Sequence, residues 1–240
     1  MATIGGSPHL AADVAWPDAE GEPLSFVAEV DLAAATALLG DSTLPPSGRL
    51  EFFYDSEQTA WGSDPADRPK WRVIWVDDRA ARRDFPSGIP EHARFTPLDL
   101  EGRVEPTFAE GESWRLGEGG MDRETYARYA DAVVAWKNAT QPQMAAVHRL
   151  LGHPDELQAE MMLLCELASN GVSLTTIHER SEVDARFEEG ARDWRLLLQI
   201  DSDQNAGMMW GDTGRIYYCI RERDLRARNW DRVWLALQCT

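Results

Sequence analysis

Lysine is almost missing from this 240-residue sequence: Lys70 and Lys137 stand against 24 basic residues in all. Positive charge of any kind is outweighed, since 41 Asp and Glu leave a formal net charge of −17. A phosphate backbone or an anionic membrane surface calls for clustered cations, so neither nucleic acid nor membrane is an expected partner. Long hydrophobic runs are missing as well. No window approaches the roughly 18 apolar residues of a membrane span, and "MATIGGSPHLAADVAWP" has no charged head leading into an apolar run. A cytoplasmic location is the expectation. Cysteine is scarce: Cys165, Cys219 and Cys239 are odd in number and widely spaced, which excludes a disulfide framework and a paired metal knuckle. Cys165, inside "MMLLCEL", reads as a core residue.

Catalytic signatures are also lacking. There is no GxSxG elbow, no P-loop and no GxGxxG after a strand, and "GEGG" at Gly117 to Gly120 lacks the Lys-Ser/Thr that would cradle phosphate. The histidines show no HxH, HxxxH or HExxH spacing. No cofactor, metal or enzymatic activity is expected from motifs.

What is present is enough apolar residue, 43% of the chain, to bury a substantial core in one domain spanning residues 1–240. An internal repeat organises it. "GGSPHL" (Gly5 to Leu10) lies over "LGHPDEL" (Leu151 to Leu157), and "SFVAEVD" (Ser25 to Asp31) over "RLLLQID" (Arg195 to Asp201). "SGRLEFFYD" (Ser47 to Asp55) then lies over "TGRIYYCIR" (Thr213 to Arg221), and "RVIWV" (Arg72 to Val76) over "RVWLAL" (Arg232 to Leu237). The copies cover approximately 5–78 and 151–239. Each reads as a Gly-Pro turn followed by three strands, rich in β-branched and aromatic residues. The fold class is therefore α+β and β-rich, two duplicated three-strand units sharing one core, with two or three helices between the copies.

Those helices are placed at Met121 to Ala139, at Gln143 to Leu151 and at Asp155 to Gly171. The first rests on Tyr126, Tyr129, Val133 and Trp136 at helical spacing, the last on Asp155 as N-cap and Asn170-Gly171 as stop. A short helix, "LAAATALLG", follows the first apolar strand and ends in Gly40. The Pro- and charge-rich middle segment is expected to wrap the surface, with one strand near His92 to Leu98.

"LPPSGRLEFFYD", "LGHPDELQ" and especially "LLQIDSD…MMWGDTGRIYYCIRERDL" resemble the bacterial YwqG-like family, a domain of unknown function, over nearly the whole chain. The resemblance implies an intracellular single-domain protein with a duplicated core and no settled activity, cofactor or catalytic residue. "HLAADVAWP" departs from it, with Ala11 and Ala12 where family members often carry proline.

One stretch invites a metal. In "LLQIDSDQNAGMMWGD", Asp201, Asp203, Asn205 and Asp212 fall at positions one, three, five and twelve of a calcium-loop template. Against it, the sharp turn at position six holds Ala206 instead of glycine, and the flanks read as strands, not helices. Asp31 occupies the place of Asp201 in the first copy without the other acids. A structural turn, with Asp and Asn side chains accepting backbone N–H groups, is the favoured reading, ahead of a calcium-like or a polar-ligand site. His9 and His153, beside the two Gly-Pro turns, could be drawn with Asp155 or Asp13 into a metal or acid–base group but read as turn residues. Most of the tryptophans in the repeat strands read as core. Trp210 is the exception, placed near a hairpin tip where it could line a binding surface with its Met neighbours.

The expected function is a non-catalytic interaction module that binds a basic protein partner, such as a toxin in a neutralising pair, through a surface including Asp201, Asp203, Trp210, Gly211 and Asp212. The alternative is a small-ligand or metal-binding protein using the same loop. A hydrolase using His and Asp at the Gly-Pro turns comes third.

Overall fold

The computed structural model describes residues 1–40, 43–109, 121–140, 145–158, 160–174 and 185–239. In chain order its elements are β1 (Ala2–Ile4), β2 (His9–Leu10), β3 (Asp18–Ala19), β4 (Glu22–Pro23), β5 (Ser25–Asp31), α1 (Leu32–Leu39), β6 (Arg49–Tyr54), β7 (Trp71–Val76), β8 (Ala81–Arg82) and β9 (Leu98–Leu100). There follow α2 (Arg123–Thr140), β10 (Arg149–Leu150), α3 (Met161–Ser169), α4 (Ala185–Ala191), β11 (Trp194–Asp201), β12 (Arg215–Arg221), α5 (Glu222–Arg226) and β13 (Trp234–Gln238). The protein is α+β and strand-rich. Two antiparallel sheets dominate, one ordered β7-β6-β5-β1-β9 and one ordered β10-β11-β12-β13.

Alternation along the strands decides which side chains meet. Leu50, Phe52 and Tyr54 of β6 and Ile216, Tyr218 and Ile220 of β12 all enter the largest buried cluster, which draws on both sheets. Phe52 meets Tyr218 edge-on with ring centroids 5.0 Å apart, and the Tyr218 hydroxyl donates to the Phe53 carbonyl. At the far edges Trp71 and Trp234 stack edge-on at 5.0 Å, and each indole N–H crosses over: Trp71 to the Val233 carbonyl, Trp234 to the Gly62 carbonyl. The other face of the first sheet carries a smaller cluster, Leu10, Leu24, Phe26, Phe53 and Val76, covered by the segment that includes β2.

The two sheets are wired alike at several points. The pairing of β5 with β6 slips between Phe26 and Ala28, and that of β11 with β12 between Leu196 and Leu198, so Val27 and Leu197 are the bulged residues. Their carbonyls accept from the Gly5 and Leu151 amides, at 2.7 and 3.1 Å. Gly5-Gly6 and Leu151-Gly152 are both consecutive left-handed pairs. At Gly5 a Cβ would stand 2.4 Å from the Thr96 carbonyl oxygen, so only glycine fits there.

α1 forms where the "LAAATALLG" pattern places it, capped by the Asp31 carboxylate on the Ala34 amide and ended by Gly40 at φ 70°. α2 also matches, starting at Arg123 with only Val133 buried along its length. Three expectations need correction. The helix expected over Gln143 to Leu151 is absent among the described residues: Ala145 to His148 has no regular element, and Arg149–Leu150 is a strand. Pairing with Gln199 and Leu198 on β11 wins there, and the left-handed Leu151-Gly152 pair would stop a helix in any case. Residues 143 and 144 lie outside the described residues, as do the "GEGG" segment and His178.

The helix expected from Asp155 starts at Met161. Asp155 is spent elsewhere, its carboxylate on Arg215 and Lys137 and its amide on the Gln199 side chain. The strand expected near His92 to Leu98 is a single 3₁₀ turn at Glu91–Ala93 followed by β9.

Candidate metal centre

β5 and β6 pair in a register that sets Glu29 directly opposite Glu51. Both point to the outer face of the first sheet, where β2, held by its pairing of His9 with Arg82 on β8, lays an imidazole over them. The His9 Nδ1 lies 2.6 Å from Glu29 Oε2 and 3.9 Å from Glu51 Oε1. One ligand atom from each of the three lies within 4.8 Å of the others, and among the described residues this is the only such group of three or more His, Cys, Asp or Glu. The His9 side chain is 16% exposed, that of Glu29 9% and that of Glu51 0%.

Glu29 is well provided for. Its second oxygen, Oε1, accepts from Arg82 at 2.9 Å, and Arg82 is itself anchored to the Ser7 carbonyl. Glu51 is not: among the described residues neither carboxylate oxygen has a hydrogen-bond partner. Burial, then the neighbouring Glu29 charge, push its pKa up to about 9; the nearby His9 backbone N–H, short of hydrogen-bonding geometry, and the Arg49 and Arg82 charges offset only part of that.

The matching positions of the second sheet show how the places of the two acids can be filled without a charge. Gln199 follows the bulge at Leu197 by two residues, as Glu29 follows Val27, and Tyr217 stands opposite it as Glu51 stands opposite Glu29. Asp155 follows Leu151 by four, as His9 follows Gly5. There both side chains that stand in for the acids are hydrogen-bonded. Gln199 accepts from the Asp155 amide at 2.9 Å and donates to the Val147 carbonyl, and the Tyr217 hydroxyl donates to the Asp155 carbonyl at 2.8 Å. Arg215 bridges the Asp155 and Asp201 carboxylates.

The 201–212 loop is stitched mainly to itself. Asp203 accepts from the Asn205 amide at 2.8 Å and forms a two-way backbone bridge with Met208, and Ser202 holds the Trp210 amide and the Gly214 carbonyl. Asp201 accepts from the Val147 amide and is ion-paired with Arg215, while Asp203 Oδ2 lies 3.3 Å from His148 Nε2. Asp212 is exposed and Gly211, just before it, has φ 55°, with its amide on Gln58. Trp210, placed at a binding surface by the sequence reading, is fully buried, with its ring edge-on to Tyr54 and Phe95 and its indole N–H on the Asp201 carbonyl. The structure thus distributes Asp201, Asp203 and Asp212 among different partners. His153 is separate from His9, with its amide on the Thr107 hydroxyl and its carbonyl on Arg149.

Sequence reasoning considered His9 but missed Glu29 and Glu51, each hidden in an apolar strand, "SFVAEVD" and "RLEFFYD". The available signal was the alignment of the two ends of the sequence, which lays these two acids over Gln199 and Tyr217.

A strand-rich α+β protein with a buried His-Glu-Glu group is the class this geometry defines. The chain belongs to the family described as "Domain of unknown function (DUF1963)", whose model matches residues 2–239. A search of the curated proteins found no match to it.

Proposed function

We propose that the protein binds one divalent transition-metal ion between His9 Nδ1, Glu29 and Glu51. The observation that carries this reading is Glu51, a carboxylate with no solvent, no hydrogen-bond partner among the described residues and a second carboxylate opposite it. Burying such a group costs several kcal/mol unless a proton or a cation neutralises it, on the order of 2–7 kcal/mol even for an uncharged polar group. One imidazole nitrogen and two carboxylates suit Zn²⁺, Fe²⁺ or Mn²⁺ better than the all-oxygen preference of Ca²⁺ or Mg²⁺. The ion would replace the His9–Glu29 hydrogen bond, and Arg82 on the far oxygen of Glu29 would orient that ligand from outside. It would tie β2 to β5 and β6. Metal-stripped protein offered Zn²⁺ or Mn²⁺ should take up one ion per chain, and no uptake by folded wild type would overturn the assignment.

The net charge of −17 supports a second reading, association with a basic protein; exposed Trp61 and Trp75 add apolar surface for it. The "MMWGDTGRIYYCIRERDL" segment supports a YwqG-like, cytoplasmic assignment, and the shared bulge and left-handed turn positions support descent of the two sheets from one duplicated unit.

A further inference from the structure

At the end of the molecule where β9 and β10 are the edge strands, the two sheets leave a cleft of about 420 Å³ between their inner faces. Ile4 and Val30 line one wall, Leu198 and Ile200 the other. The volume lies within the roughly 300–1,000 Å³ of small-molecule pockets, and a cavity of about 150 Å³ already holds benzene. In a chain with ten tryptophans, no Phe, Tyr or Trp among the described residues lines it; the lining is mainly aliphatic, with His148 and Thr107 as polar members besides the charged ones. Water gains few partners in such a place. Leu38 and Val104, two of the large apolar side chains left exposed in this protein, both belong to the same cleft, at 41% and 65% exposure. Charge enters the lining through Glu101, Arg103, Glu105 and Arg149. Arg149 is the notable one: its side chain is 8% exposed, one terminal nitrogen donates to the His153 carbonyl, another stands 3.9 Å from Glu105, and its buried Nε has no hydrogen-bond partner among the described residues. A buried donor without an acceptor is a site for an added oxyanion.

We propose that this cleft takes one linear aliphatic chain bearing a carboxylate, with the chain between the sheets and the carboxylate at the Arg149 rim. Walls that are mainly aliphatic, with no Phe, Tyr or Trp among the described residues, favour a saturated chain over a flat ring, and an apolar gap with a cation at its rim matches an amphiphile's own division. The inference is independent of the metal centre, none of whose three residues lines the cleft.

The test is calorimetric titration of the purified full chain with dodecanoate and, separately, with 1-dodecanol. Dodecanoate should bind at one per chain. Leu38→Glu, at an exposed position and checked by thermal melting, should weaken both ligands at least tenfold. Arg149→Met should weaken dodecanoate about tenfold and leave dodecanol unchanged, and His9→Ala should alter neither. Absence of saturable binding, or binding indifferent to Leu38→Glu, overturns the cleft assignment; equal loss of acid and alcohol in folded Arg149→Met overturns the carboxylate end.

Discussion

Glu29 and Glu51 face each other across two neighbouring antiparallel strands, and they are unequally served: Arg82 holds Glu29, while Glu51 has no hydrogen-bond partner among the described residues. Like charges placed directly opposite destabilise a sheet, and burial adds to the cost. The pair is relieved either by a proton on Glu51 or by a cation between the two, and the outcomes differ in ways that can be measured.

In the metal-free protein the proton is the expected answer. With its folded pKa raised from 4.5 to about 9, Glu51 binds a proton in the folded chain that the unfolded chain has lost, so this group makes stability fall as pH rises from about 4.5 to about 9. Glu51→Gln should remove that slope and raise the metal-free melting temperature at pH 8, as followed by circular dichroism. A melting temperature at pH 8 lower in Glu51→Gln than in wild type would show that Glu51 is charged and stabilised by something else.

Addition of Zn²⁺ or Mn²⁺ should reverse the relationship. An ion that binds only the native state stabilises it by RT ln(1 + [L]/Kd), about 2.7 kcal/mol at a hundredfold excess over Kd. Wild type should melt several degrees higher with the ion, and Glu51→Gln and His9→Ala should show little or no shift. Comparable shifts in all three would place any bound ion elsewhere.

Calcium should leave the wild-type melting curve unmoved at millimolar concentration, because the acids of the 201–212 loop already have separate partners. Asp203→Ala should destabilise by about 1 kcal/mol with or without calcium, through loss of its acceptance of the Asn205 amide. A calcium-dependent rise that disappears in Asp203→Ala would restore the calcium reading of the loop.

His148 should impose an acid-side slope of the opposite sign. Burial above all lowers its pKa below 6.5, against the opposing pull of Asp203 and Asp201, and its Nδ1 accepts from the Asp201 amide. A depressed histidine means that the unfolded chain takes the proton first, so this contribution is present above pH 6.5 and is lost as pH falls through the folded value. The difference in unfolding free energy between wild type and His148→Gln, followed by denaturant titration from pH 7.5 to 5, should move against wild type as pH falls. A flat difference would mean that His148 titrates alike in both states.

For a basic partner, association should slow as ionic strength rises from roughly 0.01 to 0.15 M, where the Debye length shrinks from about 30 to about 8 Å. Stopped-flow association rates that ignore salt would count against electrostatic recognition.

Much of this architecture was legible in residue order because it rests on short-range rules. "SFVAEVD", "RLEFFY", "WRVIWV" and "RIYYCIR" are strands over nearly the residues their composition marks, and Asp31 and Gly40 delimit α1. The failures have a common cause. Asp155 looks like a helix N-cap locally, but Arg215, sixty residues away, and Lys137 claim its carboxylate; Arg149 and Leu150 could have been helical, but an open edge on β11 claims their backbone.

The sequence by itself determined the strands, the left-handed glycine turns, the acidic surface charge and the aromatic core, since each follows from side-chain shape, backbone freedom or composition. Tertiary structure alone decided that His9, Glu29 and Glu51 meet, that Trp210 is buried instead of displayed, and that an aliphatic cleft opens between the sheets. Those outcomes depend on register and on which face a strand presents. A one-residue slip in the pairing of β5 with β6 would take Glu29 away from Glu51, and no local pattern encodes that alignment.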